Sequence, residues 1–239
     1  MRLSKRIRDI CECVNHGESI ADIGTDHAYV PMLLIKQGII EKAIMSDISE
    51  GSLSKAFETF ELSNIPIENN NFRIGDGLDS IENAEVDDII IAGLGGHTII
   101  DILSKDEGKS KSFKKLILQP RKFSGSLRKY LLTHGWKIDL EKLSPEGKFI
   151  CEIIVASLSE KNNAPNLTDD DIRWSYPNSF ENVDYNLLKK RIDWKIGSID
   201  EEIENISKSN QDSQDIILKL KSDKEYLKEL LVKCYKNFG

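Results

Sequence analysis

Four short blocks rich in acids and glycine stand in order along the first hundred residues. They are Asp22-Ile23-Gly24-Thr25-Asp26-His27, Met45-Ser46-Asp47-Ile48, Gly75-Asp76-Gly77 and Ala92-Gly93-Leu94-Gly95-Gly96-His97. Carboxylates accept hydrogen bonds from ammonium groups, hydroxyls and exocyclic amines, and glycine lets backbone approach a ligand without a Cβ in the way. Asp22 could take a ligand's ammonium group, Asp47 both hydroxyls of a ribose, and Asp76 the amine of an adenine. Phosphate chemistry fits poorly. A dinucleotide fingerprint needs glycine at its first, third and sixth positions, and a P-loop needs Gly-Lys-Ser/Thr. One glycine beside two carboxylates would repel a pyrophosphate. An adenosyl group carrying a sulfonium and an amino-acid tail matches the four blocks, which favours S-adenosylmethionine over NAD. The plainer alternative for Asp22 and Asp26 is that they cap a turn or a helix.

For these blocks to meet, each must end a strand of one parallel sheet. Strands are predicted at residues 19–23, 42–47, 71–74, 88–92 and 115–118, with amphipathic helical stretches between them and after the fifth. Strand, helix, strand at this pace implies right-handed crossovers and helices on both faces, with ligands bound at the carboxyl ends of the strands. Two further strands, 136–143 and 149–158, flank a Pro/Gly turn, so the sheet is expected to finish in an antiparallel pair. Residues 160–168 read as a linker. Beyond it, Leu188, Ile192, Ile196, Ile199, Ile203 and Ile206 keep helical spacing. Ile217, Leu220, Leu227, Leu231 and Cys234 do the same after a polar break. The expectation is an α/β domain over residues 1–158 and an antiparallel coiled-coil hairpin over 159–239.

The chain has 239 residues, 39% hydrophobic and 31% charged, enough apolar material for a core and no apolar run long enough to span a membrane. No secretion leader is expected at the amino terminus, since no apolar stretch follows its basic residues. Cys11, Cys13, Cys151 and Cys234 show no CxxC spacing and read as reduced thiols, with no metal site favoured and a cytoplasmic setting expected. A net charge of −7 mildly discourages a nucleic-acid partner.

At these same blocks the chain resembles the class I S-adenosylmethionine-dependent methyltransferases, and more narrowly the bacterial tRNA (adenine(22)-N(1))-methyltransferase family, TrmK. The likeness is carried by Leu3-Ser4-Lys5-Arg6, by Ala21 through Tyr29, by Gly75-Asp76-Gly77-Leu78, by Ile91 through Gly96, by Leu116-Ile117-Leu118-Gln119-Pro120 and by Gly147 through Glu152. Asp26 and Ala28 replace the later glycines of the common first motif, which is the form expected in this narrower family. The resemblance implies a Rossmann-like sheet, mostly parallel with an antiparallel last strand, followed by the helical hairpin. It implies that Asp22, Ile23, Gly24, Thr25, Asp26 and His27 bind the cofactor together with Asp47, Ile48, Asp76, Gly77, Ala92 and Gly93.

Transfer of a methyl group to adenine N1 is a direct displacement that needs no metal and gains most from alignment. Asp26 is the candidate catalytic residue, receiving an adenine N6–H as positive charge develops. It serves equally well as a partner for the cofactor's ammonium group, and the backbone of 92–94 is the other candidate acceptor. For tRNA, the expected contacts are the basic Arg2, Lys5, Arg6, Arg8, Arg121, Lys122, Arg128 and Lys129, with Leu94, Gln119 and Pro120 lining the site. Solvated helix faces would explain the same charges. Two other functions stay open: a methyltransferase for another RNA or a small molecule, and a non-catalytic nucleotide-binding adaptor that uses the coiled coil.

Overall fold

The computed structural model describes residues 3–68, 71–161, 164–177, 179–208 and 213–236. They fall into two compact units, Met1–Tyr176 and Pro177–Gly239.

The first unit is built on seven strands: β1 (Ile20–Ile23), β2 (Ala43–Asp47), β3 (Phe72–Ile74), β4 (Asp88–Ala92), β5 (Lys115–Gln119), β6 (Trp136–Glu146) and β7 (Phe149–Leu158). Their order is β3-β2-β1-β4-β5-β7-β6. The first five run parallel, while β7 is antiparallel to both β5 and β6. The expected hairpin is therefore present, with the later strand inserted next to β5. Strand order reverses between β1 and β4, which is where a doubly wound sheet opens a crevice for ligand.

Side-chain alternation divides the core. Ile20, Met45, Ile90 and Ile117 pack on one face with α1 (Lys5–Cys11), α2 (Tyr29–Lys36) and α3 (Glu50–Leu62). Ala21, Ile23, Ile44, Ile89, Ile91 and Leu118 pack on the other with α4 (Gly96–Lys105) and α6 (Ser124–Thr133), a short α5 (Glu107–Ser110) lying between those two helices in the chain. Asp22 follows Ile20 on the first face, so it points under α1 rather than into the α4–α6 layer.

The polar stretch that reads as a linker belongs to the first unit. A 3-10 turn, Ile172–Ser175, buries Trp174, whose carbonyl accepts a hydrogen bond from Arg128 Nη1 at 3.2 Å, and Asp169 pairs with Lys129 at 2.6 Å. The units divide after Tyr176, because a buried tryptophan gives residues 159–176 an anchor that their composition conceals.

In the second unit, α7 (Tyr185–Lys208) and α8 (Gln214–Lys236) form an antiparallel hairpin. Lys224 Nζ reaches Asp200 Oδ2 at 2.7 Å, and the Tyr185 and Tyr235 rings lie 5.6 Å apart. Leu188, Ile192 and Ile199 of α7 are buried with Leu220, Leu227, Leu230 and Cys234 of α8, while Leu231, expected in the seam, is half-buried.

Candidate functional site

The carboxyl ends of β1 and β4 open into a cavity of about 620 Å³. Loops tied pairwise by backbone bonds hold its rim. Gly24 N–H and Thr25 N–H both donate to Ser46 O of β2, Gly93 N–H to Gln119 O of β5, and Arg121 N–H to Leu94 O. Gly24 adopts φ +73°, and a Cβ there would stand 3.3 Å from Leu94 Cδ1, so glycine is required both for the turn and for the opening above it. Gly96 starts α4 so close to the next loop that a Cβ would lie 2.4 Å from Phe123 O.

Asp22 is the buried acid of the cavity. It is 8% exposed, and its Oδ2 accepts a hydrogen bond from Thr25 Oγ1 at 2.7 Å. Burial pushes its pKa up to about 6, with Asp47 adding to the rise and the Thr25 hydroxyl and Arg6 working against it. A desolvated carboxylate with one neutral donor and open space before it is suited to a cation. Asp26 is a contrast. It is exposed, lies 2.9 Å from Lys55 Nζ and 3.4 Å from His27 Nε2, and the Lys55 hydrogen bond holds its carboxyl below the usual range.

The structure brings Asp22, Gly24, Thr25, Asp26, His27, Ala92, Gly93, Leu94, Arg6 and Arg121 to this one cavity. Asp47 ends β2 on the same rim, with its Oδ1 accepting from Ser49 N–H at 2.8 Å. Ile48 next to it is 72% exposed, an aliphatic surface suited to the face of a base. Asp76 and Gly77 follow β3, and Asp76 shares Lys105 with Asp79. None of Asp47, Ile48, Asp76 and Gly77 lines the cavity itself. They extend the rim toward the β3 edge, as an elongated nucleoside requires. Ile23, expected at the cofactor, puts its side chain into the α4–α6 core and has only backbone to offer.

Among the expected tRNA contacts, Arg128 is corrected. It is 1% exposed, and Nε donates to Glu141 Oε1 at 2.6 Å while Nη2 pairs with Glu152. On α6 it shares the inward face with Ser124, Leu127 and Leu131, so its charge is spent inside the fold. Lys129 is engaged with Asp169 and Lys5 with Asp9 at 2.7 Å. Arg6 pairs with Glu146 and also donates to Gln119 Oε1 at 3.0 Å; Gln119 and Pro120 are themselves buried. Arg8, Arg121 and Lys122 are exposed, whereas Arg2 lies outside the described residues.

Other cavity residues escaped the sequence reading. Ile7 comes from α1, a seven-residue helix hidden in a charged tail, and Leu3 and Ser4 from the residues just before it. Its traces are the Ser4 cap and the apolar trio Ile7, Ile10 and Cys11, all buried. Glu146 arrives from the end of β6, far away in sequence. Ala28 takes a left-handed conformation at φ 50°, and the His27 and Tyr29 rings stack at 5.0 Å beside it. Three residues past Pro120, the Phe123 ring stacks on His97 at 4.3 Å. Among the described residues, no group of three or more His, Cys, Asp or Glu side chains could hold a metal ion, and no helix is long and apolar enough to cross a membrane.

A sheet of order 3-2-1-4-5-7-6 with a buried acid and a tight glycine at its switch point is the layout of a methyltransferase domain, and the family profile of that description matches residues 3–154. Among curated proteins, the tRNA (adenine(22)-N(1))-methyltransferase of Bacillus subtilis (strain 168) is 32% identical over 164 residues, spanning 69% of this chain and 68% of that protein. The crystal structure of the B. subtilis M1A22 tRNA methyltransferase TrmK superposes with a TM-score of 0.75 at 27% identity, over 96% of this chain and 99% of that one. Streptococcus pneumoniae Sp1610 in complex with S-adenosyl-L-methionine gives a TM-score of 0.71 at 28% identity, over 96% of this chain and 100% of that one. The chain belongs to the tRNA (adenine(22)-N(1))-methyltransferase family.

Proposed function

We propose that this protein transfers a methyl group from S-adenosyl-L-methionine to N1 of adenine 22 in tRNA, working in the cytoplasm with residues 3–176 as the catalytic unit. The observation that carries the reading is the cavity itself, where a buried Asp22 carboxylate faces open space beside the Gly24 turn and two arginines stand at the mouth. The residues fit the cofactor: Asp22 for the ammonium group, the Gly24–Thr25 backbone for the amino-acid tail, Asp47 and Ile48 for the ribose and base, and Asp76 with Gly77 for the adenine edge. When bound, the cofactor supplies an electrophilic methyl group on a sulfonium.

The chain's own contribution is alignment and charge. The Ala92–Leu94 turn forms the floor against which an adenine edge is set, and Arg6 and Arg121 attract the phosphates on either side. Asp26, kept anionic by Lys55, offers an acceptor for the N6–H of a base that becomes cationic. Asp26→Asn is expected to lower kcat by about 100-fold, the scale of losing one electrostatic contact to the transition state. Calorimetry should show cofactor affinity unchanged within threefold. Full turnover with weakened cofactor binding would move Asp26 from the reacting base to the cofactor.

The assignment is tested by incubating the protein with unmodified tRNA transcripts and labelled S-adenosyl-L-methionine, then locating the methylated base by primer extension. A stop at adenine 22 is expected. Label appearing only in protein or metabolite pools, or at another nucleotide, overturns it.

A further inference from the structure

Beside the cofactor cavity lies a second one of about 480 Å³, walled by Gln119 at the end of β5, by Pro120, Arg121 and Lys122 of the loop after it, and by Glu146, Phe149 and Glu152 of the β6–β7 hairpin. Its size is that of a small-ligand site. The two cavities share Arg6, Arg121 and Glu146, so a ring seated in the second presents one edge to the first.

Phe149 is the unusual member. It opens β7 two residues after Gly147, which takes φ +60°, and the ring remains 65% exposed. Lys148 Nζ sits 5.3 Å from the ring centroid, a cation held over an aromatic face. Arg121 and Lys122, both exposed, border the same opening. An aromatic face ringed by cations is what an unpaired nucleotide requires: the base stacks and the flanking phosphates are neutralised. Adenine N1 lies on the pairing edge, so an enzyme acting there needs the base out of its stack and in a pocket.

We propose that this second cavity receives the extruded target adenine, with Phe149 as the stacking platform that points its pairing edge into the cofactor cavity. Phe149 is then a positioning residue. The inference rests on the reading of the chain as a tRNA adenine methyltransferase, and it adds a site for the base and a residue that selects a planar ring.

The test is a double-perturbation cycle on the full chain in the presence of S-adenosylhomocysteine. Affinity is measured for the tRNA transcript and for the same transcript with an abasic site at the methylated position, using wild type, Phe149→Ala and Phe149→Tyr. Phe149→Ala and the abasic site should each weaken binding by about 30-fold. Together they should weaken it no further, since both remove the same stack. Phe149→Tyr should restore binding to within threefold, and the affinity for S-adenosylhomocysteine should be the same in all three proteins. Additive losses, or an alanine variant that binds normally, overturn the base pocket while leaving the methyltransferase assignment intact. A wild-type chain that methylates no tRNA overturns both.

Discussion

Asp22→Asn is expected to cost the protein its cofactor while making the free protein more stable. Asp22 is buried with no ion-pair partner among the described residues, and the rise of its pKa from 3.8 to about 6 corresponds to about 3 kcal/mol of unfavourable ionisation in the free fold. The sign follows from proton counting. Between pH 4 and 6 the folded state holds the proton that the unfolded state has lost, so stability falls as pH rises through that window and then levels off. Asparagine removes the charge. It keeps an oxygen for the Thr25 hydroxyl, so calorimetry at pH 7.5 should show a melting temperature a few degrees above wild type. Binding moves the other way, because a ligand ammonium left without its carboxylate in a dry cavity loses about 3 kcal/mol, or more than 100-fold in Kd.

The same group gives cofactor affinity a pH dependence. The ammonium group needs Asp22 ionised, so affinity should drop about tenfold per unit below pH 6 and be flat above pH 7, and the asparagine variant should show no such slope. A wild-type affinity that is level from pH 5 to 8 would remove Asp22 from the cation's partners. The opposed effects on stability and binding mark a residue kept for ligand rather than for fold, the usual trade at a functional site.

The framework was readable because local pattern and global fold agree in this chain. Every acid or glycine block stands at the end of a β-rich run, and in a parallel sheet all such ends share one rim. The burial of Asp22 was not readable. It depends on α1, whose seven residues carry too weak a pattern to stand out and are fixed by packing of Ile7 and Ile10. Glu146 and Phe149 were equally hidden, since they reach the site only through the antiparallel insertion of β7 beside β5. The total charge of −7 was a poor guide to a nucleic-acid partner, because a rim needs only local cations. Arg6, Arg121 and Lys122 border the two cavities, while acids such as Glu141 and Glu152 are consumed inside.

Arg121 and Arg128 make the sharpest contrast between look-alike charges. Both lie within nine residues of the β5 end, yet one lines the cavities and the other is enclosed by Glu141, Glu152 and the Trp174 carbonyl. Glu152 is further held by Ser124 Oγ at 2.6 Å, so the cluster ties α6 to β6, β7 and the 3-10 turn behind the second cavity. Arg128→Met leaves two buried carboxylates without their cation, a loss of about 3–5 kcal/mol. For a chain of this size that lowers the melting temperature by about 10 °C. Arg121→Ala should leave melting unchanged and lower tRNA affinity at low salt, reducing the slope of log affinity against log salt by about one. If Arg128→Met melted like wild type and flattened the salt slope instead, the arginine would belong to the tRNA surface and the buried cluster would not be what holds the hairpin to α6.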